Sequence, residues 1–300
     1  MMTPLVSIVI PSYQQGAFLA RTLASVLRQD VSDIEVFVAD GGSTDQTRKV
    51  LEDAARCEPR LRWVSEPDRG QAHAVNKGIT ATTGRIVGWL NSDDVYYPGA
   101  LRAVVEFFDK NPDVEVLYGE GDHIDEEDRF VGRYPTEPWD PHRLEQVDYL
   151  SQPSVFFRRS VVDRCGLLDE SLQFTMDYEY WLRLARAGVR FAYTPQVLSG
   201  TRLHANAKTV RSKLKIHTEV NDMLRAKLGY VPDPWIVSYA IVAAGGTTRG
   251  GRAVRRLAAL PIAVGAARRW NGRCTARVIG RWASSLGGSA LRFLRGPRAA

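Results

Sequence analysis

The sequence predicts an α/β fold built on a mostly parallel central sheet flanked by helices. Two observations carry that prediction. Short apolar runs alternate with amphipathic helical stretches in the order βαβαβαβαβ up to residue 118, and such alternation marks parallel strands joined by crossovers. The polar clusters in this region also fall directly after apolar runs, at the strand ends where open α/β sheets bind their ligands.

Taken in order, Leu5–Ile10 reads as a first buried strand, stopped by Pro11. A helix follows whose face is Phe18, Leu19, Thr22, Leu23, Val26 and Leu27, at spacings of three and four. Ile34–Ala39 is a second strand, and the helix after it begins near Asp45, with Ser43 and Gln46 spaced as a capping box. Leu61–Val64 is a weaker strand, followed by a helix from Gln71 to about Thr80. Arg85–Leu90 is a strand, Pro98 suits the first position of a helix running to Lys110, and Val114–Tyr118 is a strand. Beyond Gly119 the pattern loosens. Strands are predicted at Arg129–Tyr134, Gln152–Phe157, Arg190–Tyr193 and Val197–Arg202, with helices at Asp177–Ala187 and Lys208–Leu228, the latter ended by Gly229.

Charge divides the 300 residues unevenly. The formal net charge is +6, yet Tyr230–Ala300 holds 12 Arg, no Lys and one acid, Asp233, for +11, which leaves −5 in residues 1–229. An acidic body with a basic appendage does not suit a nucleic-acid binder, so no such partner is expected. Cys57, Cys165 and Cys274 are odd in number and far apart, which points to a reducing compartment rather than a disulfide framework. The start, Met1-Met2-Thr3-Pro4, lacks the basic region of a signal peptide, and no apolar run approaches the ~20 residues of a membrane span. In the tail, Arg273, Arg277 and Arg281 share one helical face beside Val278, Trp282 and Leu286. Such basic amphipathic segments lie on anionic membranes; the other reading is a peripheral helical hairpin with solvated arginines.

Asn91-Ser92-Asp93-Asp94 is the most informative stretch. Adjacent carboxylates repel unless a cation or donors offset them, and hard divalent ions take carboxylates together with substrate phosphates. A metal–diphosphate site is therefore expected here, against the alternative of a solvated turn. Asp40, followed by Gly41-Gly42, is a second candidate, able to accept from a ribose or a base edge or simply to cap its turn. No Gly-x-Gly-x-x-Gly and no Walker loop occurs, which argues against hydride transfer and nucleoside-triphosphate hydrolysis. Asp177 and Glu179 open a helix and do not share a face. Either could serve as a general base, or both could simply favour the helix N-terminus. His204 is either a ligand or structural.

Together these residues resemble the family-2 inverting glycosyltransferases of the GT-A fold. The likeness is carried by Val9-Ile10-Pro11-Ser12-Tyr13, Asp40-Gly41-Gly42-Ser43-Thr44-Asp45, Glu66-Pro67-Asp68-Arg69-Gly70-Gln71 with Asn76-Lys77-Gly78, Trp89-Leu90-Asn91-Ser92-Asp93-Asp94, Gln152–Phe157 and Met176–Leu184. The resemblance implies a GT-A domain over residues 1–229 and a basic helical tail over 230–300. Within the domain, 1–118 is the nucleotide-sugar half, 119–205 the acceptor half and 206–229 a flanking helix. It implies a nucleotide-sugar donor (UDP-, GDP- or dTDP-linked), a glycan or lipid-linked acceptor, and Mg²⁺ or Mn²⁺ as cofactor. Pro11, Ser12, Tyr13, Asp40, Gly70, Asn76, Asp93 and Arg202 are expected around the donor, Asp94 and His204 at the metal, and Asp177 as the catalytic base. Cell-surface polysaccharide or glycolipid synthesis at the inner face of the membrane would follow. A nucleotidyltransferase and an inactive nucleotide-sugar-binding scaffold are the alternatives.

Overall fold

The computed structural model describes residues 4–245 and 252–286. The elements in chain order are β1 (Val6–Ser12), α1 (Leu19–Leu27), β2 (Ile34–Asp40), α2 (Thr47–Cys57), β3 (Leu61–Ser65), α3 (Gln71–Ala81), β4 (Ile86–Trp89), β5 (Val95–Tyr96), α4 (Ala100–Lys110), β6 (Val116–Ile124) and β7 (Phe130–Arg133). Then come α5 (Pro141–Gln146), β8 (Val155–Arg158), α6 (Arg159–Cys165), α7 (Met176–Arg186), β9 (Phe191–Arg202), α8 (Lys208–Arg211), α9 (Lys213–Leu228), α10 (Asp233–Ala243), α11 (Arg252–Asn271) and α12 (Ala276–Leu286). The chain forms two compact units. The first runs through Trp139 and includes Tyr149–Leu203; the second is Asp140–Asp148 with the chain from His204 onward.

The first unit is organised on one sheet in the order β3-β2-β1-β4-β8-β6-β9-β5, with β7 on β6. β3, β2, β1 and β4 are parallel, as the alternation predicts. All seven residues of β1 are buried, because helices cover both faces of a parallel sheet and select a continuous apolar run. Ile8, Val36 and Val38 meet Leu19, Leu23 and Val26 of α1 in the main core, and each such side chain contributes about 1.5–3 kcal/mol by leaving water.

The expectation of a mostly parallel sheet needs correcting. β8 pairs antiparallel with both β4 and β6, β5 with β9 and β7 with β6, so the sheet is mixed. The two strands expected at 190–202 are one, β9, parallel to β6, whose register shifts on either side of Glu120 let the ladder pass Pro195. Gln152–Ser154, expected to begin a strand, is a 3-10 turn with Pro153 in its first turn. Pro98 does not open α4: Gly99, in the left-handed region, caps it instead.

In the second unit, Asp140 caps α5 by accepting from the backbone N–H groups of His142 and Arg143. Helix α9, expected to flank the first domain, groups with the tail helices. Ile236, Val237, Ala240 and Ile241 of α10 are buried, as are Ala259, Ala263, Ala266, Ala267 and Trp270 of α11. Trp270 stands edge-on to Tyr239 and donates its indole N–H to Asp222 at 2.7 Å. Val278 and Trp282 of α12 are buried too. The apolar face expected to enter a lipid surface is thus turned inward, while the side chain of Leu286 lies outside the described residues. No described helix is long and apolar enough to cross a membrane.

Candidate active site

β2, β1 and β4 end at the same edge of the sheet. Ser12 lies opposite Asp40 in the ladder, and the Asn91–Asp94 loop leaves β4 on the other side of β1. Asp40 and the Asp pair are therefore two strand spacings apart in the sheet, about 10 Å before side chains are counted.

Asp40 is buried and held by three donors. Its Oδ2 accepts from the Ser43 backbone N–H at 2.9 Å and the Ser65 hydroxyl at 2.6 Å, and its Oδ1 accepts from the Ser43 hydroxyl at 2.5 Å. A carboxylate offers about four acceptor positions, so room for roughly one further donor remains. Ser43 in turn accepts from the Gln14 N–H at 2.7 Å, while Gln15 N–H and Gly16 N–H donate to Thr47 and Asp45. The expected capping box is replaced by this clasp: Ser43 serves Asp40, and Asp45 receives the Thr47 N–H. At Gly41 an added Cβ would sit 2.7 Å from the Asp68 carboxylate and 3.2 Å from the Tyr13 ring, so a larger residue would have to displace those side chains.

Among the other residues expected at the donor, Pro11 is buried in β1 and Tyr13 is 62% exposed. The Ser12 hydroxyl is buried with no hydrogen-bond partner among the described residues. Gly70 and Asn76 are engaged elsewhere. Gly70 caps α3 at φ +124, and a Cβ on it would meet the Gln173 side chain at 2.9 Å. Asn76 donates to Leu168 O and to Glu170, and accepts from Leu168 N–H, all at 3.0 Å. Asn76 thereby ties the loop that leads into α7 to the middle of α3.

Asp94 is almost wholly buried. Its Oδ1 accepts from the Arg202 backbone N–H at 2.9 Å and its Oδ2 from the Asn91 amide at 3.1 Å. Burial, and after it the charge of Asp93, push the Asp94 carboxyl well above the ordinary carboxylate range; these two donors and the Arg202 charge pull the other way without cancelling them. Thr22 closes the loop from below, its hydroxyl shared between the carbonyls of Ser92 and Asp94. Asp93 receives the Gln15 side-chain amide at 3.4 Å. Arg202, expected at a diphosphate, braces the loop that carries the Asp pair. Its Nε donates to the Asp93 carbonyl at 2.7 Å, its Nη1 pairs with Asp128, and the guanidinium lies over the Phe18 ring at 5.1 Å.

The open choice between Asp177 and Glu179 is narrowed by packing. Glu179 is buried and ion-paired with Arg183 at 3.0 Å, and Arg183 also bonds the carbonyls of Cys165 and Leu167. Asp177 is half-buried on the first turn of α7, with one oxygen accepting from the Tyr178 N–H at 2.8 Å. The spacing of Glu179 and Arg183 at i,i+4 was the sequence signal for that pairing. His204 opens the second unit and is buried.

Sequence reasoning quoted Asn91 and Gln152 within motifs without giving either a role of its own, and it missed Thr22, read only as part of an apolar helix face, and Ser65, a polar residue at the end of β3. A cavity of about 430 Å³ between α3 and the β3 edge is lined by Phe37, Val64, Lys77 and Leu167 among others, and by none of the candidate acids. Its Lys77 and Arg69 are paired with Glu66 and Glu170. Among the described residues no group of three or more His, Cys, Asp or Glu could hold a metal ion. One or two carboxylates nonetheless suffice where substrate phosphates complete the shell, and Asp94 with Asp93 fits that pattern.

The glycosyl transferase family 2 profile matches residues 7–166, more than half of the chain. The chain belongs to that family. The chondroitin synthase of Escherichia coli is 29% identical over 217 residues, which are 72% of this chain and 31% of that protein. The chain thus spans about a third of that relative's length. Among solved structures, Staphylococcus aureus TarS 1-349 in complex with UDP-GlcNAc superposes with a TM-score of 0.66 at 17% identity, covering 92% of this chain and 83% of that one. The mannosyltransferase PcManGT from Pyrobaculum calidifontis, in complex with GDP-Man and Mn²⁺, gives 0.58 at 20% identity over 96% of this chain and 81% of that one. These likenesses establish a GT-A-like α/β fold.

Proposed function

We propose that the chain moves a sugar from a nucleoside-diphosphate donor to an acceptor hydroxyl with inversion, in the assembly of a surface polysaccharide or glycolipid. The observation that carries this reading is Asp94: a buried carboxylate, under-compensated by its own donors, beside a second acid at a strand's carboxyl edge. A protein has little reason to keep such a group unless a cation or substrate completes it.

The donor nucleoside would lie along Pro11, Ser12, Tyr13 and Asp40, where Asp40 keeps an acceptor position and Ser12 an unpaired hydroxyl. Asp93 and Asp94 would face the diphosphate. Mg²⁺ or Mn²⁺ held there would supply Lewis-acid neutralisation of the leaving group, worth several kcal/mol. His204, two residues along the chain from Arg202, stays a proposed ligand on that spacing alone. Asp177 would take the proton from the acceptor hydroxyl as it attacks the anomeric carbon, a contribution of about 10²–10⁴-fold. Direct displacement leaves the anomeric centre inverted, and the sugar forms no bond to the protein.

Incubation with UDP-, GDP- and dTDP-sugars, Mn²⁺ and candidate glycan acceptors tests this, with release of nucleoside diphosphate as the readout. Pyrophosphate release from a nucleoside triphosphate and a sugar phosphate would instead establish a nucleotidyltransferase. Donor binding without transfer or donor hydrolysis would establish a scaffold.

For the basic tail we propose electrostatic attachment to an anionic membrane face. Arg268, Arg269, Arg273, Arg277 and Arg281 are exposed, and each basic side chain near such a surface contributes about 1 kcal/mol. With Val278 and Trp282 facing inward, contact would be by charge rather than insertion. Arg277→Glu with Arg281→Glu should move the protein into the supernatant of a phosphatidylserine vesicle spin; equal pelleting would end this part of the proposal.

A further inference from the structure

We infer that Gln152 is a positioning residue for the metal: through Asn91 it fixes which atoms face Asp94 and so aims that carboxylate. The inference rests on the reading of Asp94 as a metal ligand. It is drawn from a chain of amide hydrogen bonds whose direction is set at both ends.

At one end Gln152 Nε2 donates to the Trp89 carbonyl at 2.7 Å. A backbone carbonyl only accepts, so the amide nitrogen must be on that side and Oε1 must face Asn91. Asn91 Nδ2 then donates to that Oε1 at 3.1 Å, and from the same nitrogen to Asp94 Oδ2 at 3.1 Å. At the other end the indole N–H of Trp89, which can only donate, reaches Asn91 Oδ1 at 3.1 Å, and Gln71 Nε2 reaches it at 2.7 Å. Both ends give the same answer. The orientation of each amide, usually an assignment between two look-alike atoms, is here dictated by its neighbours.

The consequence falls on Asp94. Two N–H donors, one per oxygen, fix the plane of its carboxylate, and the lone pairs they leave are the ones available to a cation. Without Gln152 the Asn91 amide keeps its oxygen on Trp89 and Gln71 but loses one of the two acceptors on its nitrogen, so Nδ2 is held less firmly in line with Asp94 Oδ2. Gln152 is nine-tenths buried, and it enters the site from the 3-10 turn that precedes β8 rather than from the loop that carries the acids. Groups one step behind a metal's ligands typically change its affinity by about 10- to 100-fold.

The test titrates the full-length protein with Mn²⁺ alone, following free Mn²⁺ by electron paramagnetic resonance, and repeats the titration with UDP and with GDP. Gln152→Glu, which cannot donate to the Trp89 carbonyl, and Gln152→Leu, which makes neither bond, are expected to weaken Mn²⁺ binding by about 10- to 100-fold. Asn91→Asp, unable to donate to Asp94, should do at least as much. Metal-free nucleotide affinity should stay within about twofold for the Gln152 variants, a split that general loosening of the fold would not give. Mn²⁺ affinity within about twofold of wild type in both Gln152 variants, with melting temperatures preserved, would overturn the inference. Asp94→Asn is the reference: if it too leaves Mn²⁺ affinity unchanged, the reading of Asp94 fails and the inference with it. If Asp94→Asn alone lowers the affinity, only the role of Gln152 fails.

Discussion

Asp40 and Asp94 are both almost fully buried and both at the carboxyl edge of the sheet, the first as the last residue of β2 and the second on the loop after β4, yet their surroundings differ in kind. Asp40 takes three donors from its own neighbourhood, two of them hydroxyls of Ser43 and Ser65. Asp94 takes two, stands beside another acid, and is pushed toward its neutral form by burial and by that neighbour. The fold supplies most of the donors the first acid can take and fewer of those the second can. Asp40 is thus an acceptor fixed by the loops around it, whereas Asp94 is the acid we propose meets a cation.

If that contrast holds, removing Asp94 should cost activity and removing Asp40 should cost stability. The largest effect is expected from Asp94→Ala: loss of several kcal/mol of leaving-group stabilisation, at least about a hundredfold in turnover, with little change in melting temperature. Asp177→Asn comes next, lowering kcat by about 10²–10⁴-fold while donor affinity measured by calorimetry stays within about twofold. Near-normal turnover with an intact fold would remove Asp177 from the mechanism.

The sequence made the Asp40 side of this comparison easy to place and the Asp94 side hard to complete. β1 and β2 are continuous apolar runs because both faces of the parallel sheet are covered, and such runs are legible one residue at a time. β5, only two residues long, depends on pairing with β9, and the Gln152 side chain on its bond to the Trp89 carbonyl, which are contacts across 60 residues or more. No local pattern announces them. The resemblance favours Asp177 over Glu179 as the base, while the pairing of Glu179 with Arg183 shows what Glu179 does in the fold. In the tail the amphipathic period of α12 is real, and Val278 and Trp282 of its apolar face are buried, as the helical-hairpin alternative expects.

Smaller effects sharpen the contrast further. Asp40→Ala leaves Ser43 and Ser65 hydroxyls without their acceptor and should destabilise the protein by roughly 1–3 kcal/mol, read from denaturant midpoints. Retention of wild-type stability would show that the clasp contributes nothing. Glu179→Gln should cost stability of similar size, since it breaks a buried ion pair, while kcat of the folded protein stays within about twofold. A loss of turnover as large as that of Asp177→Asn would transfer the base assignment to Glu179.

The most direct test of the difference between the two acids is a melting experiment with UDP and GDP, each with and without Mn²⁺, on the wild type and on Asp94→Asn. A ligand that binds only the native state raises its melting temperature. The account expects one nucleoside diphosphate to stabilise the wild type markedly more with Mn²⁺ than without, and that increment to vanish in Asp94→Asn. An equal metal-dependent increment in both proteins, or none in the wild type with either nucleotide, would contradict it.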